Sequence, residues 1–329
     1  MRNPIINYLI HNQFLTTLII VALFLLSVKL SGILIIIFIS YIIMAALSPF
    51  SDFLVKKGTP RILSVLIPYF LTIAILVLLI FPLVPFFTSQ IQLLFNNFPK
   101  YINQVTKTLN LNIDASSVNN VFEADINAFE KNALTFTGKI FTGVFSLLTV
   151  LVISFYLMLE RNMLKNQLII LLPKRYQTQG RKAIASVETK LGLWLRGQLI
   201  LSFTIGLATW LGLTLLGLPY ALPLGLLAGI LEIVPTIGPI ISAVPAIIVA
   251  LTISPGIAVS VVIFYILLQM LENNVLVPKI MEKAVGLNPI VVIIGVLIGS
   301  QFLGILGALL AVPFIAMVLS IIRSFRTSN

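Results

Sequence analysis

Apolar residues fill this chain in long charge-free intervals, divided by short polar and mostly basic segments. A membrane-spanning helix needs about 20 apolar residues, and the intervals supply six candidates. Residues 14–28 and 33–47 form two short spans joined by 29–32. Residues 62–87 form a third, interrupted by Pro68, Pro82 and Pro85, and 140–159, 199–216 and 257–271 are the fourth to sixth. The pattern predicts an all-α polytopic membrane protein.

Two longer apolar stretches, 217–251 and 286–320, flank the sixth span. Each opens with Gly-Leu and an early Pro, carries a GxxxG pair (Gly225/Gly229 and Gly295/Gly299) and contains an Ala-Val-Pro. Each is interrupted near its middle, at Pro235-Thr236-Ile-Gly238-Pro239 and at Gly299-Ser300-Gln301-Phe-Leu-Gly304. Such a stretch is too long for one upright span and too short for two spans and a turn. It predicts a discontinuous helical hairpin that enters the membrane and returns to the same side. Proline removes a backbone donor and clashes with the preceding turn, so residues 235–239 are not expected to be continuous helix. Non-helical backbone at membrane depth survives only where it is buried in protein or lines a wet cavity. Repeated broken segments are a mark of secondary transporters. The glycine pairs read as close-packing positions for the hairpin arms.

Loop charges set the orientation. Lys56, Lys57 and Arg61, then Arg161, Lys165, Lys174, Arg175, Arg181, Lys182, Lys190 and Arg196, then Arg323 and Arg326 mark cytoplasmic segments. Both termini are therefore expected in the cytoplasm. The long polar segment 88–139 balances its charges and is expected outside, with an amphipathic helix along its first half. One crossing separates the two hairpins, which predicts opposite insertion. The organisation expected is a three-span scaffold (1–87), an outer helical segment (88–139), a fourth span (140–159) and a basic linker (160–196). A transport domain (197–322) holding both hairpins and a short tail (323–329) complete it.

Composition removes many functions. With 59% hydrophobic and 9% charged residues, and a mean hydropathy of +1.12, the chain is no soluble globule. The net charge of +11 lies in loops, which points to anionic lipid on the cytoplasmic side rather than nucleic acid. There is no cysteine and one histidine, His11. No thiolate site, His-Cys metal set or intramembrane Ser-His pair is expected, and GxxxxGK[ST] is absent. Nothing points to an enzyme or to a bound cofactor.

Two acids lie in or beside the apolar core. Glu232 precedes Pro235 deep in the first hairpin, and an intramembrane carboxyl costs roughly 2.5–3.5 kcal/mol on insertion scales. That cost marks an ion or solute path, and burial disfavours the charged form, which suits proton binding and release. The alternative is a protonated Glu232 that hydrogen-bonds the broken backbone. Glu272 follows Gln269 and precedes Asn273 and Asn274, a polar cluster fit to bind a solute, close a gate or end a helix. Arg196 and Gln198 open the fifth span as a gate or anchor. Thr236 at the first break and Ser300 and Gln301 at the second would face a cavity between the tips.

Seven motifs resemble the autoinducer-2 exporter family of bacterial membrane transporters. They are Arg196-Gly-Gln198, Gly217-Leu-Pro-Tyr-Ala221, Ile233-Val-Pro-Thr-Ile-Gly-Pro239, Ala243-Val-Pro-Ala246, Leu271-Glu-Asn-Asn-Val-Leu-Val-Pro278, Val285-Gly-Leu-Asn-Pro289 and Gly304-Ile-Leu-Gly-Ala-Leu-Leu-Ala-Val-Pro313. The resemblance implies a multi-pass protein of the bacterial inner membrane, a homo-oligomer (a pentamer), and export of a small polar signal by movement of a hairpin-bearing domain. Some members of that family look like Na⁺(Li⁺)/H⁺ antiporters. Three readings follow: an exporter of autoinducer-2 or a similar solute, an antiporter using Glu232 with H⁺ or Na⁺ as coupling ion, and a non-transporting membrane scaffold.

Overall fold

The computed structural model describes residues 29–78, 145–234, 237–281 and 289–326, with isolated positions between them. The expected first span (14–28), the outer segment (88–139), Pro235 and Thr236 lie outside the described residues. Every regular element described is helical. The helices are α1 (Ser31–Lys56), α2 (Arg61–Leu78), α3 (Phe145–Leu159), α4 (Arg161–Ile170) and α5 (Gln177–Leu215). They continue with α6 (Ala221–Leu231), α7 (Ile237–Ile253), α8 (Pro255–Leu271), α9 (Val277–Met281) and α10 (Pro289–Arg326). Five of the described helices are long and apolar enough to cross a membrane, or six if the bent pair α3–α4 is one span.

Helices α1 to α3 form a scaffold around Met44, Val65, Tyr69, Leu151 and Met158. Small polar contacts fix its register in the apolar surroundings: Ser40 Oγ donates to the Val150 carbonyl at 3.0 Å, and the Tyr69 and Ser154 hydroxyls share a hydrogen bond of 2.5 Å. Arg61 donates to the Leu159 carbonyl at 2.6 Å, satisfying one of the open carbonyls at the end of α3.

Helix α5 organises the remainder. Its 39 residues extend about 58 Å at 1.5 Å per residue, nearly twice the hydrocarbon thickness of about 30 Å. The helix therefore begins well before the fifth span expected from residue 199: charge at 181–196 does not stop it, and the basic linker is the bent helix α4 followed by the first half of α5. The inward stripe Ala183, Val187, Leu191 and Trp194 packs on Ile42 and Ala45 of α1 and on Leu310 and Ala316 of α10. The contact at Gly192 is so close that a side chain there would run into the Ala45 carbonyl. The second half of α5 carries the first hairpin.

That hairpin has arms α6 and α7. With 11 residues, α6 is about 16 Å long, half of a bilayer core. It runs back along α5: Gly225 lies on Gly206 and Trp210, and Gly229 on Ser202 and Gly206. Helix α7 then returns, so Leu218 and Ala221 at the entrance share one core with Ala246, Val249 and Ala250 near the exit. Gly238 brings the arms together, since any side chain there would strike the Leu231 carbonyl. The break lies earlier in the chain than the expected 235–239, because α6 already ends at Leu231. Helix resumes at Ile237, and Pro239 sits in its first turn, where the missing N–H has no intrahelical partner to lose.

The second hairpin is α10, folded at a single residue. Gly304 has φ 61° and ψ −140°, outside the helical region and accessible to glycine. Ser300 and Gln301 are thus helical, not part of an unwound stretch. The arms close on glycines: Gly299 lies against Gly307, and Gly295 against Ile315. The second arm packs on the first half of α5 through Leu310 and Ala316, and Phe325 meets Tyr176 just before α5 begins. The arm therefore runs antiparallel to α5. The two hairpins approach the middle of α5 from its opposite ends. The two glycine pairs are used differently: Gly225/Gly229 seat an arm on a neighbour, and Gly295/Gly299 close a hairpin on itself.

Candidate functional site

The tip of the first hairpin reaches the midpoint of α5. Helix α6 ends at Leu231, before the prolines, and Glu232 follows as its cap. The Glu232 carbonyl, left open by the end of the helix, accepts a hydrogen bond of 2.6 Å from Gln198 Nε2. Gln198 is 1% exposed and Glu232 0% exposed. A side-chain amide in the middle of a spanning helix is thus spent on holding the hairpin tip.

Helix α8 delivers the second acid. Ser254 caps its start by accepting from the Ile257 N–H, and Pro255 follows in the first turn. Tyr265 donates its hydroxyl hydrogen to the Ser242 carbonyl at 3.3 Å, pinning α8 to α7. Ser242 Oγ in turn donates to the Pro239 carbonyl at 3.0 Å. About two turns after Tyr265, α8 opens into a π-helical turn at Glu272–Leu276. Such turns insert an extra residue per turn and recur at functional sites. Here the turn aims Glu272, 1% exposed, into the protein.

Glu232 and Glu272 lie close enough for their carboxyl groups to interact. Gln269 Nε2 donates to Glu272 Oε2 at 3.2 Å. From the rest of the described residues, neither Glu232 oxygen nor Glu272 Oε1 receives a donor, and Gln198 Oε1 is equally bare. Neither acid has a cationic partner among the described ion pairs. Two anions cannot sit side by side in a buried site without a proton or a cation between them. The chemistry open to the pair is therefore the taking up and release of a positive charge.

The other sequence candidates lie apart from this pair. Asn273 and Asn274 are exposed, and Asn274 Nδ2 donates to the Met270 carbonyl. Ser300 and Gln301 are exposed at the far hairpin, where Ser300 Oγ donates to the Leu297 carbonyl. Within this one chain no described contact joins the two hairpin tips. Arg196 is half-buried and forms none of the described ion pairs. Gly238 and Pro239 are buried beside the tip.

A second buried acid site was missed from the sequence. Glu188, 5% exposed, receives Arg161 Nη2 at 2.8 Å and Lys165 Nζ at 2.5 Å, and Arg161 also reaches Asp52 at 3.1 Å. Tyr41 lies beside Glu188. Its place among the basic residues of 160–196 hid it, although it adjoins the apolar stripe of α5.

Known proteins resemble this chain in sequence. The family model of the AI-2E family transporters matches residues 14–327. YueF of Bacillus subtilis (strain 168), named as a candidate transport protein, is 31% identical over 284 residues, covering 80% of this chain and 77% of its own. YrrI of the same organism, named likewise, is 30% identical over 294 residues, covering 85% and 82%. PerM of Escherichia coli (strain K12), named as a candidate permease, is 32% identical over 190 residues, covering 57% and 53%. A match along almost the whole length, on a fold of spanning helices and broken helix pairs, places this chain in the AI-2E transporter family.

Proposed function

We propose that this membrane transporter exports a small polar solute, autoinducer-2 or a relative of it, against an inward flow of protons carried by Glu232 and Glu272. The single observation behind this reading is the pair of neighbouring, buried carboxyls at the tip of a half-membrane hairpin, with no cation beside them among the described residues. The substrate class comes from the family. The coupling follows from electrostatics: moving the tip away from α8 would leave an unpaired carboxyl in a low-dielectric site, so the tip moves only with its charge neutralised. Gln198 holds the tip through its backbone carbonyl, which positions the hairpin without consuming the carboxyl. The small-residue contact of α6 on α5 permits sliding with little side-chain interlocking. The hairpin-bearing domain moves in the bacterial inner membrane within a homo-oligomer, a pentamer by family, with both termini cytoplasmic.

A second reading is Na⁺(Li⁺)/H⁺ antiport, with the pair binding cation and proton in turn. It is favoured by the bare acceptor oxygens of Glu232, Glu272 and Gln198, which suit a hard cation. Proteoliposomes holding a pH-sensitive dye separate the readings. An inward proton movement driven by an autoinducer-2 gradient supports export, and one driven by Na⁺ or Li⁺ alone supports antiport. Wild-type responses in Glu232→Gln would remove the carboxyl pair from either mechanism.

A further inference from the structure

Helix α4 leaves the end of α3 at 72°. If α3 crosses the bilayer, α4 runs close to the membrane surface, the placement of interfacial amphipathic helices. Its inner face is occupied: Arg161 and Lys165 reach Glu188, Ile169 is buried, and Leu172 lies against Gly180 of α5. Its other face has no cover among the described residues. Leu168 is 56% exposed, Ile170 72% and Leu171 81%. Exposed Lys174 and Arg175 follow at once, with Arg181 and Lys182 at the start of α5. Arg181 also donates to Asn166, and Arg175 lies over the Tyr176 ring. The two acids of this segment do not cancel these charges: Glu188 is buried against Arg161 and Lys165, and Glu160 lies at the bend, ahead of α4.

We propose that the elbow at residues 161–182 docks on the anionic cytoplasmic leaflet. Leu168, Ile170 and Leu171 insert at the boundary of headgroups and acyl chains, and Lys174, Arg175, Arg181 and Lys182 meet lipid phosphates. Charge decides for this occupant. A second copy would bring the same four cations to the contact, whereas an anionic surface attracts each of them by about fivefold in binding. The inference goes beyond the transport reading and stands without it. Its consequence is mechanical: the elbow ties the first half of α5 to the membrane plane, so the first hairpin moves against a fixed α5.

The chain contains no cysteine, so Leu171→Cys gives a single labelling site at an exposed position. The full chain, carrying a polarity-sensitive fluorophore there, is reconstituted in vesicles of phosphatidylcholine alone or with phosphatidylglycerol. Spin-labelled lipids serve as quenchers. The expected result is a blue-shifted emission quenched by the lipids, stronger with phosphatidylglycerol. In the background of Lys174→Gln, Arg175→Gln, Arg181→Gln and Lys182→Gln together, the gain from phosphatidylglycerol should be lost. Water-like, unquenched emission in both vesicles would overturn the proposal. So would a blue shift without lipid quenching that fades on dilution with empty lipid, the signature of a second copy. Equal quenching in both vesicle types would overturn the anionic recognition.

Discussion

Two buried acid sites in this molecule obey opposite electrostatics. At the elbow of α4 and α5, Glu188 sits between Arg161 and Lys165 with Tyr41 beside it, and its charge is compensated by the fold. At the hairpin tip, Glu232 and Glu272 face each other with no cation among the described residues. The elbow is built to stay as it is; the tip is complete only when something arrives. A buried acid thus has structural or transport meaning according to what faces it, not according to its depth.

Removing one charge from each site should separate them. Glu188→Gln leaves Arg161 and Lys165 without their buried anion, and a loss of about 3 kcal/mol is expected, seen as a clearly lower unfolding temperature in detergent. Gly238→Ala overpacks the hairpin tip against the Leu231 carbonyl and should cost about 2 kcal/mol in the same assay. Glu232→Gln should change stability by less than about 1 kcal/mol, because an amide supplies a donor that Glu272 Oε1 lacks. If Glu232→Gln destabilised as much as Glu188→Gln, the tip would be as structural as the elbow, and the contrast would fail.

The elbow contains its own smaller comparison. Asp52 meets the same Arg161 as Glu188, but its side chain is 57% exposed against 6% for Glu188. Asp52→Asn should therefore cost at most about 0.5 kcal/mol, and that small loss should shrink further in high salt. A loss comparable with Glu188→Gln would show that the network, rather than burial, sets the energy.

Much of this architecture was legible in the chain. Proline at 235 and 239 and glycine at 304 mark both helix breaks, because each changes what the backbone can do locally. Repeated spacing of glycines and Ala-Val-Pro identified the hairpins as a pair. One boundary shifted where local signals compete with packing: Pro239 is tolerated in the first turn of α7. Helix α5 also continues through Arg196, since a charged residue does not break a helix. Glu232 and Glu272 were each readable as deep or interfacial acids. Their encounter was not, because residues 40 apart meet only through the way α6, α7 and α8 fold back on one another. Nor does hydropathy say which glycine pair closes a hairpin and which seats it on a neighbour.

The central claim is that Glu232 and Glu272 form one charge-accepting site. The measurement that tests it most directly is luminal pH in proteoliposomes under imposed autoinducer-2, Na⁺ or Li⁺ gradients. Wild type, Glu232→Gln and Glu272→Gln would be compared after intact assembly is verified. The account predicts a proton movement in wild type that either single substitution abolishes. Full proton movement in both variants would contradict it.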